Sequence, residues 1–293
     1  MNEQQLEIIN HKKERTIKSL SSVYNLPSIP YVIFEVTKMI ENPMASAAQL
    51  AKIISKDQGL VTKILSVANS PLYGIPRRVS TIDFAIVILG FNHIKDIVIA
   101  LSLLEAFKKI GDKKFEQKAY WTHSVLTASA AKRIADDLGY TFSGEVFTAG
   151  LLHDLGIPII YKYFNKEYKK ILELTENDEM TFAEAEVETL GVSHTEIGKH
   201  LMNRWNLPEG LADAVYHHHK PSDSEENKEL AALIHIADYM TYKLGYGEFS
   251  WDKNYELDKS TVDILKLGDE EYLDNFIKSY EELFSHQINS IQF

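Results

Sequence analysis

Helix start signals recur along almost the whole chain, and they constrain its fold more than any other feature. In a capping box, Ser or Thr and a Gln or Glu three residues later satisfy backbone amides of a first helical turn. The pattern is found at Ser46–Gln49, Ser55–Gln58, Thr181–Glu184 and Ser193–Glu196. Alternating strand patterns are hard to find, and there are only 14 glycines and 8 prolines in 293 residues. The sequence therefore predicts an all-α fold.

The helical pattern predicts three parts. Residues 1–110 form an N-terminal helical part, residues 119–245 a helical core, and residues 246–293 a C-terminal helical extension. Between the first two, Lys108 to Lys118 is polar and rich in lysine, which indicates a surface connection. The stretch from Trp251 to Phe293 predicts two polar-rich helices and contains no pattern that points to chemistry.

Charge and composition exclude several classes of function. Lys and Arg number 31 and Asp and Glu number 42, so the net charge is −11, which disfavours general nucleic-acid binding. Without cysteine, disulfides, Cys-ligated zinc and iron–sulfur clusters are excluded. The longest apolar runs, Phe84–Leu89 and Ile97–Leu101, are too short to cross a membrane. The first residues do not resemble a signal peptide, so we expect a cytoplasmic protein without membrane contact.

Histidine is concentrated in one segment of the chain. Eight of the 11 histidines lie between His123 and His235. The sharpest motif is His153-Asp154, in a predicted helix over residues 144–155 that ends at Gly156. Adjacent side chains on a helix are about 100° apart, so both can reach one point beside it. An imidazole and a carboxylate at one point favour Zn, Fe, Mn or Ni.

Two donors cannot hold a metal ion firmly, so further ligands are needed. The candidates are His123, His194, the run His217–His219 and Asp238. Some of these residues also fit a purely structural role, since histidines at a helix C-terminus are favoured by the helix dipole. Asp238 is likewise placed to hydrogen-bond His235, three residues earlier on the same helix face.

The order His, His-Asp, His, His-His, Asp resembles the HD superfamily of metal-dependent phosphohydrolases. The resemblance implies divalent metal ions, two of them, with iron, zinc or manganese as candidates. It implies a first site made by His123, His153, Asp154 and Asp238. It implies a second site made by Asp154, His194, His218 and His219. Asp154 would bridge the ions and is the candidate catalytic residue, and His218 and His219 are preferred over His217 because the family's pair lies just before the helix stops.

The N-terminal part is similar to the HDOD domain, the HD-related output domain of bacterial signalling proteins. The motifs that carry this resemblance are Leu26–Pro30, Leu50–Asp57, Leu65–Ser70, Ile82–Ile86 and Leu89-Gly90. Together with the histidines they extend the resemblance over about residues 20–245. It implies an HD-domain-like multi-helix bundle with an N-terminal helical subdomain. It also implies a regulatory role in signal transduction, with output through a signalling protein or a bound ligand.

Two departures argue against hydrolysis of cyclic di-GMP. The related HD-GYP phosphodiesterases carry His-Asp-x-Gly-Lys, and Ile157 stands at the Lys position here. They also carry Gly-Tyr-Pro after the paired histidines, a motif missing from Lys220–Ser224.

Two functions therefore stay open. In the first, the metal stabilises a signalling module. In the second, the protein is a metal-dependent phosphohydrolase acting on a nucleotide or another phosphoester, and the ions activate water and screen the developing charge. Lys199 and Arg204 are candidate phosphate contacts for that enzyme. A helix pair within Ser46–Asn69 has the spacing of a DNA-binding motif, but the acidic charge disfavours it, and no nucleic acid is expected as a partner.

Overall fold

The structure, a computed structural model, describes residues 3–22, 30–108, 117–176, 180–246 and 255–290. Within them the regular secondary structure is all helical and no strand is present, so the all-α prediction is confirmed. The α-helices are α1 (Glu3–Ser22), α2 (Tyr31–Ile40), α3 (Ala47–Ile54), α4 (Gln58–Ala68), α5 (Ile82–Leu89), α6 (Phe91–Lys108), α7 (Gln117–Asp137), α8 (Ser143–Leu152), α9 (Gly156–Tyr163), α10 (Asn165–Thr175), α11 (Phe182–Leu190), α12 (His194–Arg204), α13 (Glu209–His217), α14 (Lys228–Lys243), α15 (Ser260–Leu265), α16 (Glu270–Ser279) and α17 (Glu281–Ser290). Short 3-10 turns lie at Pro71–Tyr73 and Pro221–Asp223.

Local capping chemistry explains several helix starts. Reciprocal capping boxes at Ser46 and Thr181 open α3 and α11, as predicted. The hydroxyl of Ser193 caps α12 by accepting from a first-turn amide. The box predicted at Ser55 is wrong, because Asp57 caps α4 and Ser55 ends α3. The Asp57 carboxylate accepts an amide hydrogen bond of 3.0 Å, and its charge also suits a helix N-terminus.

Two long helices form the centre of the core. Helix α7 is buried from Tyr120 to Ala135 apart from Thr122 and Arg133, and α14 is buried from Leu230 to Asp238. They pack against each other and against α8. Helix α13 packs on α8, α12 and α14, and α12 also packs on α9. A continuous series of helix contacts thus joins α7 to α12 through α8, α14 and α13.

The N-terminal helices α2 to α6 pack on one another and reach the core through α6, which contacts α8. Most of the Leu26–Pro30 motif and of the connection from Lys108 to Lys118 lies outside the described residues. The three predicted parts stay a prediction.

The C-terminal extension packs against the rest of the molecule at several points. Tyr280 donates a 2.6 Å hydrogen bond to Asp137 on α7, and Ser70 beside the first 3-10 turn donates to Gln287. Phe284 is fully buried. The structure has three helices in residues 255–290 where two were predicted, because Lys266 takes a left-handed conformation that ends α15.

In the described parts of the chain, no one helix has the length and apolar character needed to span a membrane. Helices Ile82–Leu89 and Phe91–Leu103 meet those criteria only as a pair, which is bent by 118°.

Candidate metal centre

The seven side chains predicted as ligands lie together in the core. In one group, His123 Nε2 is 3.1 Å from both His153 Nε2 and Asp238 Oδ1. The distance from His153 Nε2 to Asp238 Oδ1 is 3.7 Å. Helix α7 supplies His123, α14 supplies Asp238, and the end of α8 supplies His153. One donor atom from each side chain lies within 4.8 Å of the others, close enough to share an ion.

A second group adjoins the first. His194 Nε2, at the start of α12, is 3.0 Å from His219 Nε2. Asp154 lies between the groups, since its Oδ2 is 3.3 Å from His153 Nε2 and its Oδ1 is 3.5 Å from His194 Nε2. His218 Nε2 is 3.8 Å from the same Oδ1. The two carboxylate oxygens of Asp154 therefore face different groups.

The backbone around His153 differs from the prediction of one helix over residues 144–155. Helix α8 ends at Leu152, residues 153–155 form a turn, and Gly156 begins α9 instead of ending α8. A Cβ on Gly156 would overlap the His194 carbonyl and lie 2.7 Å from the His194 Cα. This glycine is therefore needed for the close approach of α9 to α12, which brings His194 to the centre.

Backbone carbonyls fix the orientation of two rings. The Nδ1 atoms of His153 and His218 are each 2.7 Å from a carbonyl oxygen, of Gly150 and Val215 respectively. A carbonyl can only accept, so Nδ1 carries the proton. In the neutral ring, Nε2 then presents its lone pair to the centre, as metal-binding histidines do.

A buried carboxylate fixes a third ring. Glu186 on α11 is fully buried, and its Oε2 accepts from both His194 Nδ1 (2.7 Å) and the His194 amide (2.8 Å). The sequence prediction missed Glu186. It lies on the face of α11 that buries Phe182, Ala185 and Leu190, so a charged residue in that apolar stripe was the available signal.

Several atoms that face the centre have no hydrogen-bond partner among the described residues. They are Asp154 Oδ2, His218 Nε2 and both carboxylate oxygens of Asp238, all buried. A buried polar group without a partner costs about 1–3 kcal/mol, and ionised groups cost more. A cation would satisfy all of these atoms together. Carboxylate oxygens and imidazole nitrogens are ligands that Zn²⁺, Fe²⁺ and Mn²⁺ accept, so the donor set fits a divalent metal.

The pKa shifts show which protons a metal ion would have to displace. Burial lowers the pKa of His153 and of His194, but the carboxylates of Asp154 and Glu186 outweigh it and raise both pKa values, so a cation would replace a proton on each of these rings.

Burial would raise the pKa of Asp154 and of Asp238, but the neighbouring His153 outweighs it and both carboxyl groups stay ionised. Burial lowers the pKa of His218 and of His219 well below the usual value, so both rings are neutral at pH 7. Ionised carboxylates and neutral imidazoles are the forms that bind metal ions.

Two histidines near the centre point elsewhere. His217 Nε2 lies 3.4 Å from Asp213 and belongs to neither group. The hydrogen bond from His235 to Asp238 that the sequence allowed is not formed between these two described residues. His235 instead contacts the carbonyl of His218 at 2.7 Å and the amide of Asp258 at 2.8 Å.

The two candidate phosphate contacts are engaged away from the centre. Lys199 Nζ lies 3.7 Å from Glu209 Oε1 and 5.0 Å from the centre of the Tyr216 ring. Arg204 donates to the carbonyl of Leu20 at 3.4 Å. The structure thus gives neither a contact with the His and Asp cluster.

A comparison with protein-family profiles identifies one family. Residues 26–221, about two thirds of the chain, match the profile of the HDOD domain, a range that ends before Asp238. An uncharacterised protein of Treponema pallidum (strain Nichols) is 25% identical over 262 residues, which are 89% of this chain and 50% of that protein. The chain therefore spans about half the length of that relative.

Solved structures share the fold. An HDOD domain protein of unknown function from Geobacter sulfurreducens superposes with a TM-score of 0.79 at 24% identity, covering 97% of this chain and all of that one. A protein from Shewanella amazonensis SB2B, named as a candidate phosphohydrolase, gives a TM-score of 0.71 at 22% identity, over 94% and 98% of the two chains.

Proposed function

This chain belongs to the HDOD domain family, and on that basis we propose that it is a regulatory protein of bacterial signal transduction with a dinuclear HD-type metal centre. The first ion is held by His123, His153, Asp154 and Asp238, and the second by Asp154, His194, His218 and His219. Bound divalent ions supply positive charge and Lewis acidity at this point. Output passes through a partner protein or a bound ligand.

The observation that carries this proposal is the convergence of buried acceptor atoms. Imidazole nitrogens 3.0 and 3.1 Å apart face each other, and four of the inward-facing atoms have no hydrogen-bond partner in the described parts of the chain. Without a cation, each nitrogen pair would need a proton on one of its two atoms, and the carboxylate charges of Asp154 and Asp238 would repel each other. The chain's own groups hold this arrangement, because backbone carbonyls and Glu186 orient the rings from outside.

The regulatory role is favoured by how little of the centre is exposed. Six of the seven ligands are 3% exposed or less, and His219 is partly exposed. The cations suggested for binding a phosphate, Lys199 and Arg204, contact other groups. A phosphoester would have to reach ions that protein surrounds on most sides, whereas a metal that stabilises the domain has no such need.

The alternative is a metal-dependent phosphohydrolase. It is favoured by the partial exposure of His219, which gives the second group an edge toward solvent. A nucleotide or other phosphoester would approach there, and Asp154 would be the catalytic residue because it faces both groups. Cyclic di-GMP is the less favoured substrate, since Ile157 replaces the lysine of the related enzymes and is fully buried.

Turnover by protein loaded separately with Mn²⁺, Fe²⁺ or Zn²⁺ tests the proposal. The substrates are nucleoside mono-, di- and triphosphates and bis(p-nitrophenyl) phosphate, and the background is the His153→Ala Asp154→Ala variant. We expect no turnover above that background by protein that measurably holds its metal. Hydrolysis that the double variant lacks would overturn the regulatory role and support the enzyme.

A further inference from the structure

His235 connects the metal centre to the C-terminal extension. It lies on α14, is 1% exposed and uses both ring nitrogens. Nδ1 is 2.7 Å from the carbonyl oxygen of His218, and Nε2 is 2.8 Å from the backbone amide of Asp258. The ring therefore links two backbone groups that are 40 residues apart in the chain.

These two contacts determine the tautomer. The Asp258 amide can only donate, so Nε2 must accept, and the His218 carbonyl can only accept, so Nδ1 must donate. A neutral ring with its proton on Nδ1 satisfies both bonds. Tyr255 Oη lies 3.0 Å from the same Nδ1 and adds a second contact from the extension.

The hydrogen bond from His235 to the His218 carbonyl lies where it can position ligands of the second metal group. Helix α13 ends at His217, so the carbonyl of His218 is one of the groups that its last turn leaves unsatisfied. That carbonyl belongs to the peptide between His218 and His219, two adjacent ligands of the second ion. A shift of this peptide would move both side chains.

The extension contacts the same turn by other routes. The ring of Tyr255 lies 5.4 Å from the ring of His219, centre to centre. Ser222, in the 3-10 turn after the ligands, donates to Asp258 Oδ2 at 3.4 Å. We call residues 255–260 the C-terminal segment. The segment reaches the His218 carbonyl through His235, and it contacts the His219 ring and Ser222 directly.

We propose that His235 is a positioning residue that couples the docking of the C-terminal segment to occupancy of the second metal site. The inference rests on the proposed function, because it requires ions at both sites. Coupling of this kind is reciprocal: metal strengthens the docking of the segment, and docking strengthens metal binding by the same factor. An effector or partner that engages the extension would thereby change the second site and leave the first largely unaffected.

Three variants test this. His235→Phe keeps the ring and removes both hydrogen bonds. His235→Asn retains an amide that can donate to the His218 carbonyl in place of Nδ1, and serves if the first variant does not fold. His286→Gln changes an exposed histidine of the extension and is the matched control. Each is titrated with Co²⁺ against a competing chelator while the visible absorption of each equivalent is recorded.

We expect His235→Phe to weaken the second Co²⁺ equivalent by about 10-fold or more, within the usual range of coupling, and to alter its absorption bands. The first equivalent and the His286→Gln control keep wild-type behaviour, and His235→Asn recovers part of the loss. In the wild type, hydrogen exchange at Asp258 and Ser260 slows when the second equivalent binds. That protection disappears in His235→Phe.

Wild-type affinity and spectrum in both His235 variants would overturn the coupling and leave the metal centre standing. So would metal binding by the wild type without any slowing of exchange in the C-terminal segment. A wild type that takes up no Co²⁺ would overturn the metal centre and the coupling together.

Discussion

At the scale of single residues, three of the five histidines of the centre are held by the ring nitrogen that faces away from it. Backbone carbonyls hold His153 and His218, while the carboxylate of Glu186 holds His194. A carboxylate partner adds negative charge and makes the ring a stronger base than a carbonyl does. The second metal group should therefore depend on Glu186.

Replacing that carboxylate tests the dependence. We expect Glu186→Gln to weaken binding of the second metal equivalent roughly 10- to 100-fold, the usual effect of losing a partner of a metal-bound histidine. Chelator competition measures it, and Glu188→Gln, at a half-exposed position on the same helix, is the control. Equal affinity of Glu186→Gln and the control would show that Glu186 does not support the second site.

The partly buried carboxyl group of Asp96 makes stability depend on pH. Asp96 on α6 lies against Gly144, and burial raises its pKa to about 6. Lys95 Nζ lies 3.8 Å from its Oδ1 and lowers the pKa, whereas Glu145 raises it. Burial lowers the pKa of the neighbouring His93 to about 3. The folded state therefore holds a proton on Asp96 that the unfolded chain releases near pH 4, and this stabilisation is lost as pH rises from about 4 to 6.

Asp96→Asn should remove this dependence. We expect the variant to be more stable than the wild type by roughly 1–3 kcal/mol at pH 7 and to lose that advantage near pH 4. Urea unfolding at the two pH values measures the difference. An advantage that is constant with pH, or a less stable variant at pH 7, would contradict the raised pKa.

The sequence predicts which side chains lie together at the centre, but not which residues hydrogen-bond to them from outside. The order of the histidines and aspartates led to seven residues that lie together in the structure. Glu186 was missed because no motif marks it and its role depends on the packing of α11 against the start of α12. The family resemblance led to the choice of His218 and His219 over His217. The orientation of their rings could be seen only in the structure.

At the scale of helices, close approach between elements places the ligands. Helix α9 begins at Gly156, where the backbone of His194 leaves no room for a side chain. Gly210 in α13 has open space around the position of a Cβ. Substituting alanine at each of these glycines therefore separates the effect of close packing from the general preference of alanine for helices.

Gly156→Ala should destabilise the protein by about 3 kcal/mol or more and displace His194, because backbone atoms cannot yield as a flexible side chain can. Gly210→Ala should be neutral or stabilising by up to about 1 kcal/mol. Thermal unfolding and metal content report on both. A folded Gly156→Ala protein with full metal content would show that α9 and α12 tolerate separation.

Helix starts could be predicted where the signal is local. Ser46 and Thr181 cap as expected because their partners are three residues away. The end of α8 could not be predicted, since Gly156 looks like a helix terminator until α12 is packed beside it. The error at Ser55 is of a different kind, because the competing cap, Asp57, lies only two residues further along the chain.

At the scale of the whole molecule, the C-terminal extension packs as part of the core. Phe284 on α17 is fully buried, and Tyr280 reaches Asp137 on α7. We expect Phe284→Ala to destabilise the protein by about 3–5 kcal/mol in one cooperative transition, as for other buried aromatic residues. Phe34→Ala, at a position 61% exposed, is the control. A separate unfolding step for the extension in urea would show that it folds independently.

The all-α class could be predicted from capping and periodicity, because both are local. The attachment of the extension could not, since Ser70 and Gln287 are 217 positions apart and neither carries a recognisable signal. The contact of His235 with Asp258 is another long-range contact that no local pattern predicts. The proposed regulation depends on these long-range contacts.

The metal content of the purified, untagged protein is the first quantity to measure, because the proposed function and the coupling through His235 both require bound ions. Elemental analysis by mass spectrometry is made on the wild type and on the His153→Ala Asp154→Ala variant. We predict two equivalents of iron, zinc or manganese in the wild type and their loss in the variant. A wild type without metal, even after reconstitution with each ion, would contradict a metal centre formed by these seven residues.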